Sequence, residues 1–221
     1  YARDRVQGRP VGMTKEEAKD SSIIDHADVR RTLMTIKSYL DAMRYMNYDN
    51  HLMLDLEYFA EGELKDFGKE RCGILTPITK AWISDLSVEL TSMAIQVYGG
   101  MGYVEETGIA QYFRDARIAP IYAGTNGIQA EDLVFRKITL NDGKAVESLL
   151  KEMRTNISSM KEHENLEPLS EILERHVAEI EEATQYLLIE LSKGNLAGVS
   201  ASGTPYLKMF GQVLGLSLIH I

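Results

Sequence analysis

Two glycine-rich polar turns hold the residue types in this chain that are best suited to binding a ligand. Residues 96–102 are Gln-Val-Tyr-Gly-Gly-Met-Gly, and residues 122–127 are Tyr-Ala-Gly-Thr-Asn-Gly. Glycine lets a backbone approach a ligand closely, and the side chains of Gln96, Thr125 and Asn126 offer hydrogen bonds beside it. The two turns therefore predict contacts with an oxygen-rich ligand such as a phosphate ester.

Each turn also has a purely structural interpretation. Gly99 and Gly100 follow a long helical pattern, and a glycine commonly ends a helix. Thr125, Asn126 and Gly127 precede another helical pattern, where Thr or Asn caps the first turn and the free N–H groups favour phosphate oxygens. Capping and ligand binding can occur together at the second turn, so both interpretations stay open.

Helical periodicity dominates the elements that must position these turns. A helix starting near Asp25 and a helix over about 62–98 each carry apolar residues three and four apart. The first apolar face consists of Val29, Leu33, Ile36, Leu40 and Met43, and the second of Ile74, Ile78, Trp82, Leu86 and Leu90. We expect the two faces to pack together, with Pro77 bending or splitting the second helix. Shorter helices follow over 109–117 and 126–138.

The residue pattern of the sequence changes after the second turn and the helix that follows it. Asn141-Asp142-Gly143 predicts a turn, and short acidic amphipathic helices follow, one of which starts at Pro168. Residues 194–203 are rich in Gly, Ser and Ala and predict a flexible linker. Thr204-Pro205 then predicts the start of a last helix, with the proline in its first turn.

The predicted fold class is all-α, because no segment shows the sustained alternation of a β-strand. We expect an antiparallel four-helix bundle over residues 1–140, followed by a smaller helical domain over residues 143–221. The chain begins without Met or a helix cap and ends inside an apolar stretch. Both ends favour a piece of a longer protein.

Composition excludes several classes of function. The chain has 24 basic and 33 acidic residues and a net charge of −9, which argues against nucleic acid or an anionic membrane surface as the main partner. A single cysteine, Cys72, cannot form an intrachain disulfide and suits a reducing compartment. No run of apolar residues is long enough to predict membrane insertion, so we expect a cytoplasmic protein.

The remaining chemically active side chains have ordinary interpretations. The histidines His26, His51, His163, His176 and His220 show no metal-ligand spacing, so no metal site is predicted. Cys72 fits a packed helix residue. Glu105, Glu106 and Glu131 are predicted to be surface carboxylates, and Arg114, Asp115 and Arg117 an ion-pair cluster.

Four elements of the sequence resemble, in the same order, motifs of the acyl-CoA dehydrogenase family. They are Arg5-Val6-Gln7, residues 96–102, Phe113-Arg114-Asp115-Ala116-Arg117 and residues 122–129. The first departs from the family pattern because the usual Phe-Gly after it is contracted to Gly8. The run over 204–211 resembles the extra C-terminal helical domain of longer bacterial members, the subgroup that includes 3-methylmercaptopropionyl-CoA dehydrogenase.

The resemblance implies a flavoprotein in which FAD lies at an interface between subunits of a homodimer or homotetramer. The FAD-binding residues that it implies are Arg5, Gln7, Gln96, Gly99, Gly100, Thr125, Asn126 and Gly127. Arg5 suits that role as a charge-assisted phosphate donor, although a solvated surface arginine is the alternative. Tyr122, Ala123 and Gly124 would line the thioester end of an acyl-CoA substrate.

Ala123 stands where most members of the family carry the catalytic Glu. The family reaction turns an acyl-CoA into the 2,3-enoyl-CoA and passes electrons to an electron-transfer flavoprotein, and it needs a base over the α-carbon, which a methyl group cannot supply. Some members have Ala or Gly here and carry the Glu on an earlier helix. Glu105, Glu106 and Glu131 are possible substitutes for the base within this chain. Two hypotheses follow from the resemblance: a dehydrogenase with its base elsewhere, or an FAD-binding relative without activity that serves as a scaffold or regulator. A third, an unrelated all-α interaction bundle, would need all four motif matches to be chance.

Overall fold

A computed structural model describes residues 1–218, which form eight α-helices joined by turns, 3₁₀ segments and a π-helical segment at Leu133–Lys137, with no β-strand in that range. The helices are α1 (Ala27–Phe59), α2 (Gly62–Tyr98), α3 (Gly100–Tyr103), α4 (Ile109–Ala116), α5 (Asn126–Asp132), α6 (Lys144–Met160), α7 (Glu167–Ser192) and α8 (Leu196–Leu218). The all-α prediction is confirmed. His220 lies outside the described residues.

The chain divides into two compact units. The first consists of Tyr1–Leu40 and Asp85–Ala119, and the second of Asp41–Ser84 with the chain from Pro120 onward. The predicted division into domains over 1–140 and 143–221 follows the change in sequence pattern after the turn at residues 141–143 rather than compactness, and it stays a prediction.

The apolar face predicted for α2 is confirmed. Its five residues, Ile74, Ile78, Trp82, Leu86 and Leu90, are all buried. The face predicted for α1 is only partly correct, because Met43 is buried while Leu40 is exposed. In the second unit α1 and α2 approach closely at Gly68, where a Cβ would lie 2.8 Å from the carbonyl oxygen of Met53. Glycine is required there because any side chain would separate the two helices.

Of the two effects predicted for Pro77, splitting of the second helix is wrong, and bending stays a prediction. α2 runs without interruption from Gly62 to Tyr98 with Pro77 inside it. Proline removes one hydrogen bond and crowds the carbonyl four residues before it. The turns on either side of Pro77 are anchored by the buried side chains of Leu75 and Ile78. This packing stabilises the helix more than the proline weakens it, since tertiary contacts supply most helical stability in proteins.

The tail forms a packed helical core in the second unit. α6, α7 and α8 contact one another, and α8 also contacts α5. The turn predicted before α6 is confirmed, since Asn141, Asp142 and Gly143 all have positive φ. Pro168 lies in the first turn of α7, as predicted.

The flexible linker predicted over residues 194–203 is also wrong, because α8 begins at Leu196 and passes through Pro205. The small residues of α8 serve close packing instead of flexibility. A Cβ on Gly203 would lie 3.3 Å from the carbonyl oxygen of Ala130, and one on Gly211 would lie 2.4 Å from Cγ of Trp82. Their low helix propensity is offset by the burial that this approach allows.

Candidate functional site

The 122–127 turn adopts a backbone conformation that few side chains tolerate. Ala123 has φ +55° and Gly124 has φ +80°, so two successive residues lie in the left-handed region. Tyr122, Ala123 and Gly124 are all exposed. The residues predicted to line an acyl-CoA therefore form one continuous exposed surface.

α5 begins directly after this turn and uses some of the donors that a ligand could otherwise take. Thr125 caps the helix, and its Oγ1 accepts a hydrogen bond from the N–H of Ile128 at 3.4 Å. The N–H of Asn126 donates to the carbonyl oxygen of Pro120 at 3.1 Å. Gly127 is exposed, and its N–H has no acceptor within residues 1–218. The structural role predicted for Thr125 is present, and the N–H of Gly127 is left for a ligand.

The side chain of Asn126 is engaged with α2. Its Nδ2 donates to the carbonyl oxygen of Ala81 at 3.1 Å and to Oγ of Ser84 at 3.0 Å. Its Oδ1 accepts from Nζ of Lys80 at 2.7 Å. Asn126, proposed from sequence as a ligand contact, is thus also the anchor of the turn.

Sequence reasoning missed Lys80, which reaches the same turn from the middle of α2. Its Nζ donates to the carbonyl oxygen of Gly124 at 2.6 Å, across 44 residues of sequence. One signal could have found it. Lys80 interrupts a buried stretch that includes Ile78, Thr79, Ala81 and Trp82, and a lysine in such a stretch needs a polar partner.

In the first unit, the N-terminal segment is joined to the end of α2 by stacked aromatic rings. The rings of Tyr1 and Tyr98 lie 4.3 Å apart with an interplanar angle of 12°. The segment is also held by a hydrogen bond from the N–H of Ile23 to the carbonyl oxygen of Arg5 at 2.7 Å. The structure therefore brings together two of the four motif elements, the one at Arg5 and the 96–102 turn.

The polar groups of the Arg5 element are directed to solvent rather than to the protein interior. Arg5 and Gln7 are exposed, and the Arg5 guanidinium donates only long hydrogen bonds of 3.3 and 3.4 Å to Oε1 of Gln7. The carbonyl oxygen of Gln7 lies 3.0 Å from Nε2 of His26. The backbone is thus fixed while the charged group keeps donors for an anionic ligand.

The three glycines of the 96–102 turn differ in whether the fold itself requires glycine at their positions. Gly99 ends α2 with φ +60°, and its N–H donates to the carbonyl oxygen of Gln96 at 3.0 Å. Gly102 packs so closely that a Cβ would lie 2.3 Å from the carbonyl oxygen of Ile95. Gly100 has neither reason, since its φ is not positive and a Cβ there would meet nothing within 4 Å. An exposed glycine without an internal role fits a backbone that a ligand approaches.

An open cavity of about 570 Å³ lies beside this turn, lined mostly by apolar side chains, among them Ile95, Val104 and Phe113. Arg114 at its edge forms a bidentate ion pair with Glu105, with distances of 2.9 and 2.8 Å. The ion-pair cluster predicted for Arg114, Asp115 and Arg117 is therefore replaced by other contacts: Arg114 pairs with Glu105, and Asp115 accepts a hydrogen bond from Nε2 of Gln111 at 2.7 Å. The ion pair also engages Glu105, which is therefore a poor candidate for a general base.

The other chemically active residues remain unremarkable. Glu131 accepts a hydrogen bond from Oγ of Ser200 at 2.8 Å, and Sγ of the buried Cys72 lies 3.5 Å from Oγ1 of Thr76. Within residues 1–218 no group of three or more His, Cys, Asp or Glu is arranged to hold a metal ion. None of the helices in that range combines the length and apolar character that a membrane span requires.

The sequence that forms these helices matches a known family. Residues 13–138, more than half of the chain, match the family described as acyl-CoA dehydrogenase, C-terminal domain. The chain therefore belongs to the acyl-CoA dehydrogenase family, an oxidoreductase family, as the four motifs predicted.

Two bacterial relatives illustrate the likeness. The chain is 40% identical over 144 residues to 3-methylmercaptopropionyl-CoA dehydrogenase of Ruegeria pomeroyi, an alignment covering 65% of this chain and 24% of that protein. It is 33% identical over 162 residues to a butyryl-CoA dehydrogenase of Syntrophomonas wolfei, covering 73% of this chain and 26% of that protein. The chain thus spans about a quarter of the length of these relatives.

The fold also resembles a solved structure. The crystal structure of Caenorhabditis elegans ACDH-11 in complex with C11-CoA aligns with a TM-score of 0.75 at 20% identity. The alignment covers 91% of this chain and 34% of that one. Because it reaches beyond residue 138, it extends the likeness of fold into the tail helices.

Proposed function

We propose that this chain is the C-terminal helical part of an FAD-dependent acyl-CoA dehydrogenase that oxidises an acyl-CoA to the 2,3-enoyl-CoA. Electrons would pass to an electron-transfer flavoprotein, and the protein would act as a cytoplasmic homodimer or homotetramer. The boundary between its two domains would lie near residues 140–143 of the sequence. The observation that carries the proposal is that the motif residues Arg5, Gln96 and Gly100 are exposed and that Gly100 has no internal reason to be glycine.

The residues present fit the anionic part of FAD. Arg5 offers a guanidinium whose contacts inside the chain are long, and Gln96 offers an exposed amide. Such groups bind a pyrophosphate through charge-assisted and neutral hydrogen bonds. Gly99 and Gly100 expose backbone without side chains, so a dinucleotide can lie directly against it. Gln7 and the N–H of Gly127 would add donors.

The substrate end of the reaction would involve the 122–127 turn. Tyr122, Ala123 and Gly124 form the exposed surface that would face the thioester. FAD, when bound, supplies the acceptor for the hydride that leaves the β-carbon. The α-proton must go to a carboxylate other than residue 123, because alanine has no proton acceptor.

A second candidate function rests on the same alanine. Of the carboxylates considered as substitutes for the missing base, Glu105 is paired with Arg114 and Glu131 is hydrogen-bonded to Ser200. A relative that keeps FAD and has lost the base would serve as a scaffold or regulatory flavoprotein. The two candidates differ in whether the bound flavin is reduced by an acyl-CoA.

Anaerobic mixing of the full-length flavoprotein with butyryl-CoA and 3-methylmercaptopropionyl-CoA tests the proposal. The dehydrogenase predicts that the flavin absorbance band bleaches in the wild type. The Ala123→Glu variant should then gain nothing or lose activity, because two carboxylates near one site repel each other and raise their pKa values.

The inactive relative predicts the opposite pattern. Only Ala123→Glu would bleach, gaining roughly 10²–10⁴ in rate as expected of a positioned general base. Ala123→Gln is the matched control, since it has the same size and cannot accept the proton. Absence of bleaching in all three proteins, with FAD bound and a broad panel of acyl-CoAs tried, would contradict dehydrogenase activity.

A further inference from the structure

Lys80 holds the 122–127 turn by two short hydrogen bonds from one ammonium group. Its Nζ lies 2.6 Å from the carbonyl oxygen of Gly124 and 2.7 Å from Oδ1 of Asn126. Hydrogen bonds from a charged donor are about twice as strong as neutral ones. The side chain is half-buried, so water competes less for it than at a fully exposed site.

The contact extends along about one turn of α2. Besides Lys80, the residues Ala81 and Ser84 bond to the side chain of Asn126, which is thereby fixed at both its oxygen and its nitrogen. Lys80 also reaches the backbone of the turn itself. It therefore links the rigid helix to the peptide groups at the exposed surface.

Holding a carbonyl group decides where the next N–H points. The described chain has no cis peptide bond, and in a trans peptide the C=O and N–H point in opposite directions. Lys80 holds the carbonyl of Gly124, so the N–H of Thr125 points away from α2. Nε2 of Gln129 donates to the carbonyl oxygen of Ala123 at 3.3 Å, which directs the N–H of Gly124 away in the same manner.

The turn needs such support because its conformation is unfavourable. Ala123 and Gly124 both have positive φ, and for alanine this conformation persists only where the surroundings enforce it. Neither the N–H of Gly124 nor that of Thr125 has an acceptor within residues 1–218. The carbonyl groups of the turn are thus held by Lys80 and Gln129, while the N–H groups of Gly124 and Thr125 remain available as donors on the opposite side.

We propose that Lys80 is the positioning residue of the 122–127 turn, which it fixes so that the N–H of Gly124 meets an oxygen of a bound acyl-CoA while the N–H of Thr125 stays available to FAD. The ligand part of this inference rests on the proposed function. The ordering of the turn by Lys80 does not.

Four variants separate positioning from a general structural effect. Lys80→Met keeps the aliphatic stem and removes the donors, and Lys80→Arg keeps the charge. Lys80→Cys in a Cys72→Ala background can be alkylated with 2-bromoethylamine, which restores an ammonium group at nearly the original length. Lys65→Met changes an exposed lysine of the same helix and is the matched control.

Two measurements are made on each folded protein. The first is the ¹⁵N order parameter of the Gly124 and Thr125 amides, and the second is the Kd for butyryl-CoA by calorimetry. We expect Lys80→Met to lower the order parameters from about 0.85 to below 0.6. The Kd should rise about tenfold or more, because an unordered site must be ordered on binding. Lys80→Arg should retain part of both properties.

Alkylation decides the outcome, because it compares one folded preparation before and after the ammonium is restored. Recovery of both order and affinity supports the proposal. Unchanged order parameters in Lys80→Met, or no recovery of order on alkylation, overturn it. If the wild type binds no acyl-CoA of any kind, the proposed function fails, while the order parameters still decide whether Lys80 positions the turn.

Discussion

The indole of Trp82 packs directly against the backbone of Gly211. A Cβ at position 211 would lie 2.4 Å from Cγ of Trp82, and one at Gly215 would lie 2.8 Å from Cη2 of the same ring. Two glycines of α8 thus lie against opposite ends of the indole. This contact is the reason why a glycine-rich segment forms a packed helix in this protein.

Gly211→Ala should therefore destabilise the protein by about 1–3 kcal/mol, as expected of an overpacked core. The sign of this change in the free energy of unfolding is informative, because alanine in a helix is otherwise favoured over glycine by about 1 kcal/mol. Urea unfolding followed by circular dichroism measures the change. Gly100→Ala is the control, since a Cβ there meets nothing within 4 Å. A Gly211→Ala variant as stable as the wild type would show that α8 moves away from Trp82 freely.

Arg5→Ala and Gly100→Ala should weaken FAD retention without lowering the free energy of unfolding of the apoprotein. Arg5 loses a charged donor, and Gly100 gains a methyl group where the dinucleotide would approach. The Kd for FAD, from quenching of flavin fluorescence, should rise roughly tenfold for the arginine, the value of one charge-assisted hydrogen bond. Arg3→Ala changes an exposed arginine of the same segment and should leave the Kd unaltered. Equal affinity in all four proteins would remove these residues from the FAD site.

A buried hydroxyl pair joins α7 to α8 and should behave asymmetrically on mutation. Oγ1 of Thr184 donates to the carbonyl oxygen of Ile180, so the hydroxyl of Tyr206, 2.7 Å away, must donate to Thr184. Tyr206→Phe removes the donor and should cost about 1 kcal/mol. Thr184→Val leaves the buried tyrosine hydroxyl without a partner and should cost about 1–3 kcal/mol.

The double variant Thr184→Val, Tyr206→Phe tests the assignment. It should be more stable than the sum of the two single changes implies, because it leaves no buried donor unpaired. Thermal unfolding of the four proteins completes the cycle. Strict additivity would show that the two hydroxyl groups are not coupled.

Asp49 should make stability depend on pH in the direction opposite to a salt-bridged aspartate. Burial raises the pKa of Asp49, while the nearby Arg71 acts against this rise and Glu152 adds to it. The folded protein therefore binds this proton more tightly than the unfolded chain does. The resulting stabilisation is present below the ordinary pKa of aspartate and is lost as the pH rises through the raised pKa.

Asp49→Asn mimics the protonated side chain and should remove this dependence. Its free energy of unfolding relative to the wild type should be more favourable at pH 7 than at pH 4. Asp55→Asn on the same helix is the exposed control. If Asp49→Asn instead lowers the free energy of unfolding, relative to the wild type, more at pH 7 than at pH 4, the attraction of Arg71 outweighs burial. The inferred direction of the pKa shift of Asp49 would then be wrong.

The sequence by itself determined the helical class, the buried face of α2, the turn at residues 141–143 and the family. These features depend on local spacing and on short motifs, which a linear chain displays directly. The caps at Gly99 and Thr125 were also within reach, because helix ends have local chemical requirements.

Only the tertiary structure decided how the prolines and glycines are used and which residue supports the candidate site. Pro77 and Pro205 remain inside helices, and residues 194–203 are helical, because packing against distant residues such as Trp82 outweighs local propensity. Lys80 contacts Gly124 across 44 residues. Local sequence patterns depend on residues that are neighbours along the chain. A contact between distant residues, such as that of the Lys80 ammonium or the Trp82 ring, depends on which helices pack together, and that is decided by the burial of the whole core.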